Sequence, residues 1–108
     1  MEIREYEDRR DRSPFGQWFE DLDPVTAAKV TVALTRLENE NVSNVKSVGS
    51  GVLELKIDFG PGYRIYFGKD GERIIILLGG GTKKRQQIDI AAAQDNWRSY
   101  KDRRKDKV

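Results

Sequence analysis

The residues best suited to chemistry lie in the second half of the chain: Lys56, Arg64 and Tyr66, then the basic run Lys83-Lys84-Arg85. Guanidinium groups are planar, always protonated and able to bind a phosphate through two parallel bonds. Preorganised donors aimed at a phosphoryl group in its transition state are each worth roughly 10²–10³ in rate. The matching reaction is RNA cleavage without a metal. The 2′-hydroxyl attacks the adjacent phosphate, and negative charge builds on the phosphoryl oxygens. The chain has no histidine and no cysteine, which removes the usual acid/base, zinc-thiolate sites and cysteine nucleophiles. Lys56, crowded by other cations, is the candidate to accept the hydroxyl proton. Tyr66 is placed to stack on a base or orient a hydroxyl. Arg98 and Lys101, on the last predicted helix, extend the basic surface as further RNA contacts. No metal site and no cofactor are expected.

The elements that position these residues follow from periodicity. Residues 51–59 alternate, with Leu53, Leu55, Ile57 and Phe59 on one side and Glu54, Lys56 and Asp58 on the other, the pattern of a strand with one buried face. Gly60-Pro61-Gly62 is a turn signal. The next strand puts Tyr63, Ile65 and Phe67 on one face, Arg64 and Tyr66 on the other. Opposed residues of an antiparallel pair share a face. A hairpin closed tightly at Gly60-Pro61-Gly62 therefore sets Phe59 against Tyr63, Lys56 against Tyr66 and Asp58 against Arg64. Lys56, Asp58, Arg64 and Tyr66 then share one open sheet face. The plainer reading of that face is a solvated surface with an Asp58–Arg64 ion pair, worth roughly 0.2–1 kcal/mol.

Upstream, Ile3–Tyr6 reads as a short first strand. Ser13-Pro14 and Asp23-Pro24 each carry an N-cap residue followed by proline, the start signal of a helix. Phe15, Trp18, Phe19 and Leu22 form one apolar stripe and Ala27, Val30, Ala33, Leu34 and Leu37 another, which predicts a helical hairpin. Residues 39–50 read as a loop. Asp70-Gly71 is a tight turn, and Ile74–Leu78 is an unbroken apolar run expected to be a central strand covered on both faces. Gly79–Thr82 ends it, residues 83–87 form a basic loop, and a last helix starts near Asp89 with Ile90, Ala93, Trp97 and Tyr100 on its apolar side. From about 104 to 108 the chain is a charged tail expected to fray. The order is β-α-α-β-β-β-α: a single α+β domain over residues 1–108, with an antiparallel sheet and helices packed on one face.

Charge is unevenly distributed. Residues 1–60 carry 8 basic and 12 acidic side chains, net −4, while residues 83–108 carry 9 and 4, net +5. A basic C-terminal quarter is a footprint for a phosphate backbone. The acidic first half, and its helical hairpin above all, is the expected surface for a protein partner. No apolar run approaches a membrane span and Met1–Glu5 lacks a signal-peptide core, so the cytoplasm is the expected compartment.

At the hairpin the chain resembles a known family. GVLELKIDFGPGYRIYF, from Gly51 to Phe67, continued by IIILLGGGTK from Ile74 to Lys83, is similar to the "addiction module killer protein" branch of the RelE/HigB toxins of the RelE/ParE superfamily. Asp89–Ala93 with Trp97, and the helices from Phe15 onward, fit the same pattern, so the resemblance covers nearly the whole chain. It implies the toxin of a type II toxin–antitoxin system: a ribosome-dependent endoribonuclease that cuts mRNA and halts translation. It also implies a cognate helix-turn-helix antitoxin, with operator DNA contacted only through the antitoxin complex. Arg64 corresponds to the family's strand arginine at the scissile phosphate. Lys56 corresponds to one of two strand lysines, Glu54 standing where the other would be. Lys83, Lys84 and Arg85 fall in the region of a second cationic catalytic residue. The family's C-terminal catalytic Tyr or His has no counterpart; Tyr100, three residues after Trp97, reads as core. ParE-like relatives poison DNA gyrase instead, and a degenerate, non-catalytic antitoxin-binding module is the further alternative.

Overall fold

The computed structural model describes residues 1–105. Strand β1 (Glu2–Glu5) leads to helices α1 (Pro14–Glu20) and α2 (Pro24–Glu38), then strands β2 (Val45–Ser47), β3 (Leu53–Ile57), β4 (Tyr63–Asp70) and β5 (Ile74–Thr82). A single 3-10 turn, Lys83–Arg85, runs directly into α3 (Gln86–Lys105). Both predicted caps form. Ser13 Oγ accepts from the Gly16 N–H at 2.9 Å, and Asp23 accepts from the Thr26 N–H and hydroxyl. These bonds satisfy donors that a helix start leaves orphaned.

The fold is mixed α+β, a five-stranded sheet with three helices. Strand order is β1-β5-β4-β3-β2. The central strands form the expected antiparallel meander, but β1 lies parallel to β5, pairing Glu2 with Ile74 and Glu5 with Leu77. β2 was not foreseen. It is three residues long and only Val45 is even half-buried, so it leaves no periodic trace.

The helices do not share one face, contrary to the sequence reading. α1 and α2 cover one side of the sheet, over Leu55, Ile57, Ile65, Phe67, Ile75 and Leu77. α3 covers the other, where Tyr6, Val52, Tyr66, Ile76, Leu78, Ala93 and Trp97 form a second cluster. The unbroken apolar run of β5 required this arrangement, because Ile75 and Leu77 point to one cluster and Ile76 and Leu78 to the other. Hence no open sheet face exists at β4 and β5.

The hairpin register also differs. Ile57 pairs with Tyr63, Lys56 with Arg64, Leu55 with Ile65 and Glu54 with Tyr66. The connection is thus the five residues 58–62, closed by the Gly62 N–H donating to Phe59 O, with Gly60 and Gly62 at positive φ. The shift is two residues, so every side chain keeps its face, but Asp58 leaves the ladder and the Asp58–Arg64 pair does not form. β5 runs on through Thr82, and the expected basic loop is the 3-10 turn plus the start of α3. The charged tail expected from about 104 is helical to Lys105, with Arg104 paired to Asp70; residues 106–108 lie outside the described residues. No described helix is long and apolar enough to cross a membrane.

Candidate functional site

Two cross-strand rows on the α3 side of the sheet build the site. One runs Lys46–Glu54–Tyr66–Gly79, the other Lys56–Arg64–Gly81. Opposed residues have Cβ atoms about 4.5–5.5 Å apart, so the ladder alone sets Lys56 beside Arg64 and Glu54 beside Tyr66. The first turn of α3 closes over both rows. Gln86 Nε2 donates to Glu54 Oε2 at 2.8 Å, and the Asp89 carboxylate lies against the bare backbone of Gly81, where a Cβ would overlap its Oδ2.

Arg64 is buried. Its Nε lies 3.4 Å from Glu54 Oε1. That is ion-pair range, yet Nε is not aimed at the oxygen and has no hydrogen-bond partner. Its Nη1 reaches toward Tyr63 O at 3.4 Å and borders Gly62, against which the Lys83 stem also packs. The Lys83 N–H donates to Gly62 O at 3.0 Å, which fixes the start of the cationic turn beside the Arg64 guanidinium. Glu54 is only 1% exposed and is shared by Arg64, by Gln86 and by Lys46 Nζ at 3.8 Å. Arg85 Nε lies 3.9 Å from Asp89 Oδ1.

Burial dominates the electrostatics. It holds the Asp89 carboxyl above the usual carboxylate range, with Arg85 opposing the shift. It also pushes the Tyr66 phenol well above its ordinary value, helped by the nearby Glu54 and Asp89 carboxylates and opposed by Arg64.

Of the residues singled out from sequence, Lys56 is paired across the strands with Arg64, Lys83 packs near the Arg64 guanidinium at Gly62, and Lys84 and Arg85 are exposed on the same turn. Tyr66 is in the same cluster but fully buried, so it offers no ring face for base stacking. Arg98 and Lys101 stand apart. They line a cleft of about 330 Å³ with Ser50, Gly51 and Gln94, and Lys101 is twelve residues beyond Asp89, roughly 18 Å along the helix axis. Tyr100 is half-buried at the edge of the second cluster rather than inside it: it stacks on Trp97 and its hydroxyl donates to Asp70. Sequence reasoning missed Glu54, Gln86 and Asp89. Glu54 carried a signal in its alternation with Lys56; the other two belong to a helix whose face assignment was not available.

Fold and site together define a small mixed α+β protein with a cationic cluster where its central strands meet the start of a basic helix. The chain belongs to the phage-derived Gp49-like protein family (DUF891), whose model matches residues 17–100. An uncharacterised protein of Haemophilus influenzae is 40% identical over 81 residues, covering 74% of this chain and 82% of that one.

Proposed function

We propose that the chain is the toxin of a type II toxin–antitoxin pair and acts as a metal-independent endoribonuclease on mRNA under translation. The observation that carries this reading is the convergence of Lys56, Arg64, Lys83 and Arg85 at one end of the sheet. A scissile phosphate at that end meets exposed ammonium groups from two elements, with a guanidinium fixed beneath them. Charge developing on its oxygens is then stabilised without reorganisation. The Gp49-like family is associated with toxin–antitoxin systems, which supports the same reading. The ribosome supplies the geometry of the RNA, and a cognate helix-turn-helix antitoxin neutralises the chain, carrying it to operator DNA. A second reading, a non-catalytic antitoxin-binding module, is favoured by the burial of Arg64 and its pairing with Glu54.

The test is a map of new 5′ ends on a translated reporter mRNA after induction of wild type, Arg64→Ala or Arg64→Lys, with circular dichroism to confirm folding. In-frame cuts made by wild type, lost in both variants and lost when translation is blocked, are expected. Arg64→Lys keeps the charge but not the bidentate fork. An Arg64→Ala chain that cuts like wild type would falsify the assignment. Growth arrest with intact mRNA points to a gyrase-directed toxin, and no arrest points to the binding module.

A further inference from the structure

Among the described residues, three buried side-chain atoms lack a hydrogen-bond partner: Arg64 Nε, Tyr66 Oη and Asp89 Oδ2. All three lie under the first turn of α3. Buried polar groups are almost always satisfied, and a local concentration of exceptions calls for a functional account. Asp89 is the informative member. Glycine at 81 leaves the slot opposite Arg64 empty of a side chain, and the Asp89 carboxylate occupies it. Its Oδ1 faces outward, toward Arg85 on the cationic turn. The Asp89 side chain is 18% exposed and that of Glu54 only 1%, so Asp89 is the carboxylate of this cluster that solvent reaches.

We propose that Asp89 is the proton acceptor of the cleavage, taking the 2′-hydroxyl proton on Oδ1 while the Lys83–Arg85 turn and Arg64 hold the phosphate. The inference rests on the nuclease reading above. As the proton moves to Asp89, the 2′-oxygen bonds to phosphorus and the bond from phosphorus to the 5′-oxygen breaks. The departing oxygen takes a proton from water, and Asp89 returns its own to solvent. The products are a 2′,3′-cyclic phosphate and a 5′-hydroxyl. A chain without histidine needs another base, and a carboxylate made more basic by burial is a better one. The charged and titratable groups facing Asp89 are Arg85 from the turn, Arg64 and Tyr66 from β4, and Glu54 from β3.

The experiment uses the full chain with ribosomes translating a defined reporter, comparing wild type, Asp89→Asn and Asp89→Glu across pH and in thermal melts. Asp89→Asn is expected to lower kcat by about 10²–10⁴ with cut positions unchanged. Wild-type cleavage should fall at acid pH as the carboxylate is protonated, and the residual activity of Asp89→Asn should lack that limb. Asp89→Glu, which restores a carboxylate, should recover part of the rate. Asp89→Asn should also melt at or above the wild-type temperature. Folding raises the pKa of this group, so the folded chain loses stability as pH rises through its titration, and a neutral isostere escapes that loss. Activity falling while stability holds distinguishes proton transfer from structural support. An Asp89→Asn chain that cleaves at the wild-type rate, or loses activity only as it loses folded protein, overturns the proposal. Wild-type cleavage beside an unimpaired Asp89→Asn removes this inference alone. A wild type that leaves mRNA intact removes the nuclease reading, and this inference with it.

Discussion

Arg64 and Glu54 are both nearly inaccessible, yet they are not equivalent partners. Glu54 has three donors around it, from Arg64, Gln86 and Lys46, whereas Glu54 is the carboxylate within ion-pair range of Arg64 among the described residues. Removing either side of a buried pair leaves a charge that the interior does not compensate, at a cost of roughly 3–5 kcal/mol. The expected outcome is therefore asymmetric. Glu54→Ala should cost about 3 kcal/mol or more, because Arg64 is stranded, and Arg64→Ala should cost less, because Glu54 keeps Lys46 and Gln86. Urea midpoints for the two variants check this; equal losses would mean that the second and third donors contribute nothing. This pairing was hidden in the sequence. Its alternation placed Glu54, Lys56, Arg64 and Tyr66 on one face correctly. The register did not follow, because a slip of two residues preserves every face assignment, and only the length of the connection distinguishes the alternatives.

At the scale of elements, the run Gly79-Gly80-Gly81 marks the end of the apolar segment of β5 but not the end of the strand. Each glycine meets a different environment. A Cβ at Gly80 would overlap the Trp18 indole from α1, one at Gly81 would overlap the Asp89 carboxylate from α3, and one at Gly79 meets nothing within 4 Å. Helices thus approach the same strand closely from opposite sides at successive residues. Gly80→Ala is expected to cost roughly 1–3 kcal/mol through overpacking. Gly79→Ala should be neutral or slightly stabilising, since glycine within a strand is penalised by about 0.5–1 kcal/mol. Denaturant unfolding of the two variants tests the contrast. The helix starts at Ser13-Pro14 and Asp23-Pro24 were legible because capping is local chemistry. The face taken by α3 was not, because Ile90, Ala93, Trp97 and Tyr100 describe a stripe without saying which side of a sheet it meets. The continuous apolar run of β5 held the missing information, since a strand buried on both sides demands a cover for each.

The molecule as a whole is a sheet with two hydrophobic clusters, one under α1 and α2 and one under α3. The polar site sits at the edge of the second, so the stability of that cluster governs the geometry of the cationic turn. Trp97 is its keystone: it is buried, packs against Gly68 and stacks on Tyr100. Trp97→Ala should cost roughly 3–5 kcal/mol. Because both clusters share the strands β4 and β5, unfolding should remain a single transition, with far-UV and near-UV signals lost together. Separate transitions would show that α3 detaches from an otherwise intact sheet.

The parallel pairing of β1 with β5 bears on how the chain is made. Residues 2–5 lie beside residues 74–77, so β1 has no sheet partner until about two thirds of the sequence has followed it. Contacts of such long sequence separation form late. The polar site needs residues from Lys46 to Asp89, and the helix that closes over it, α3, follows all the strands in the sequence. A nascent chain that stops short of Asp89 therefore lacks part of the site. For the toxin proposed above, that order leaves the site unassembled during most of its own synthesis.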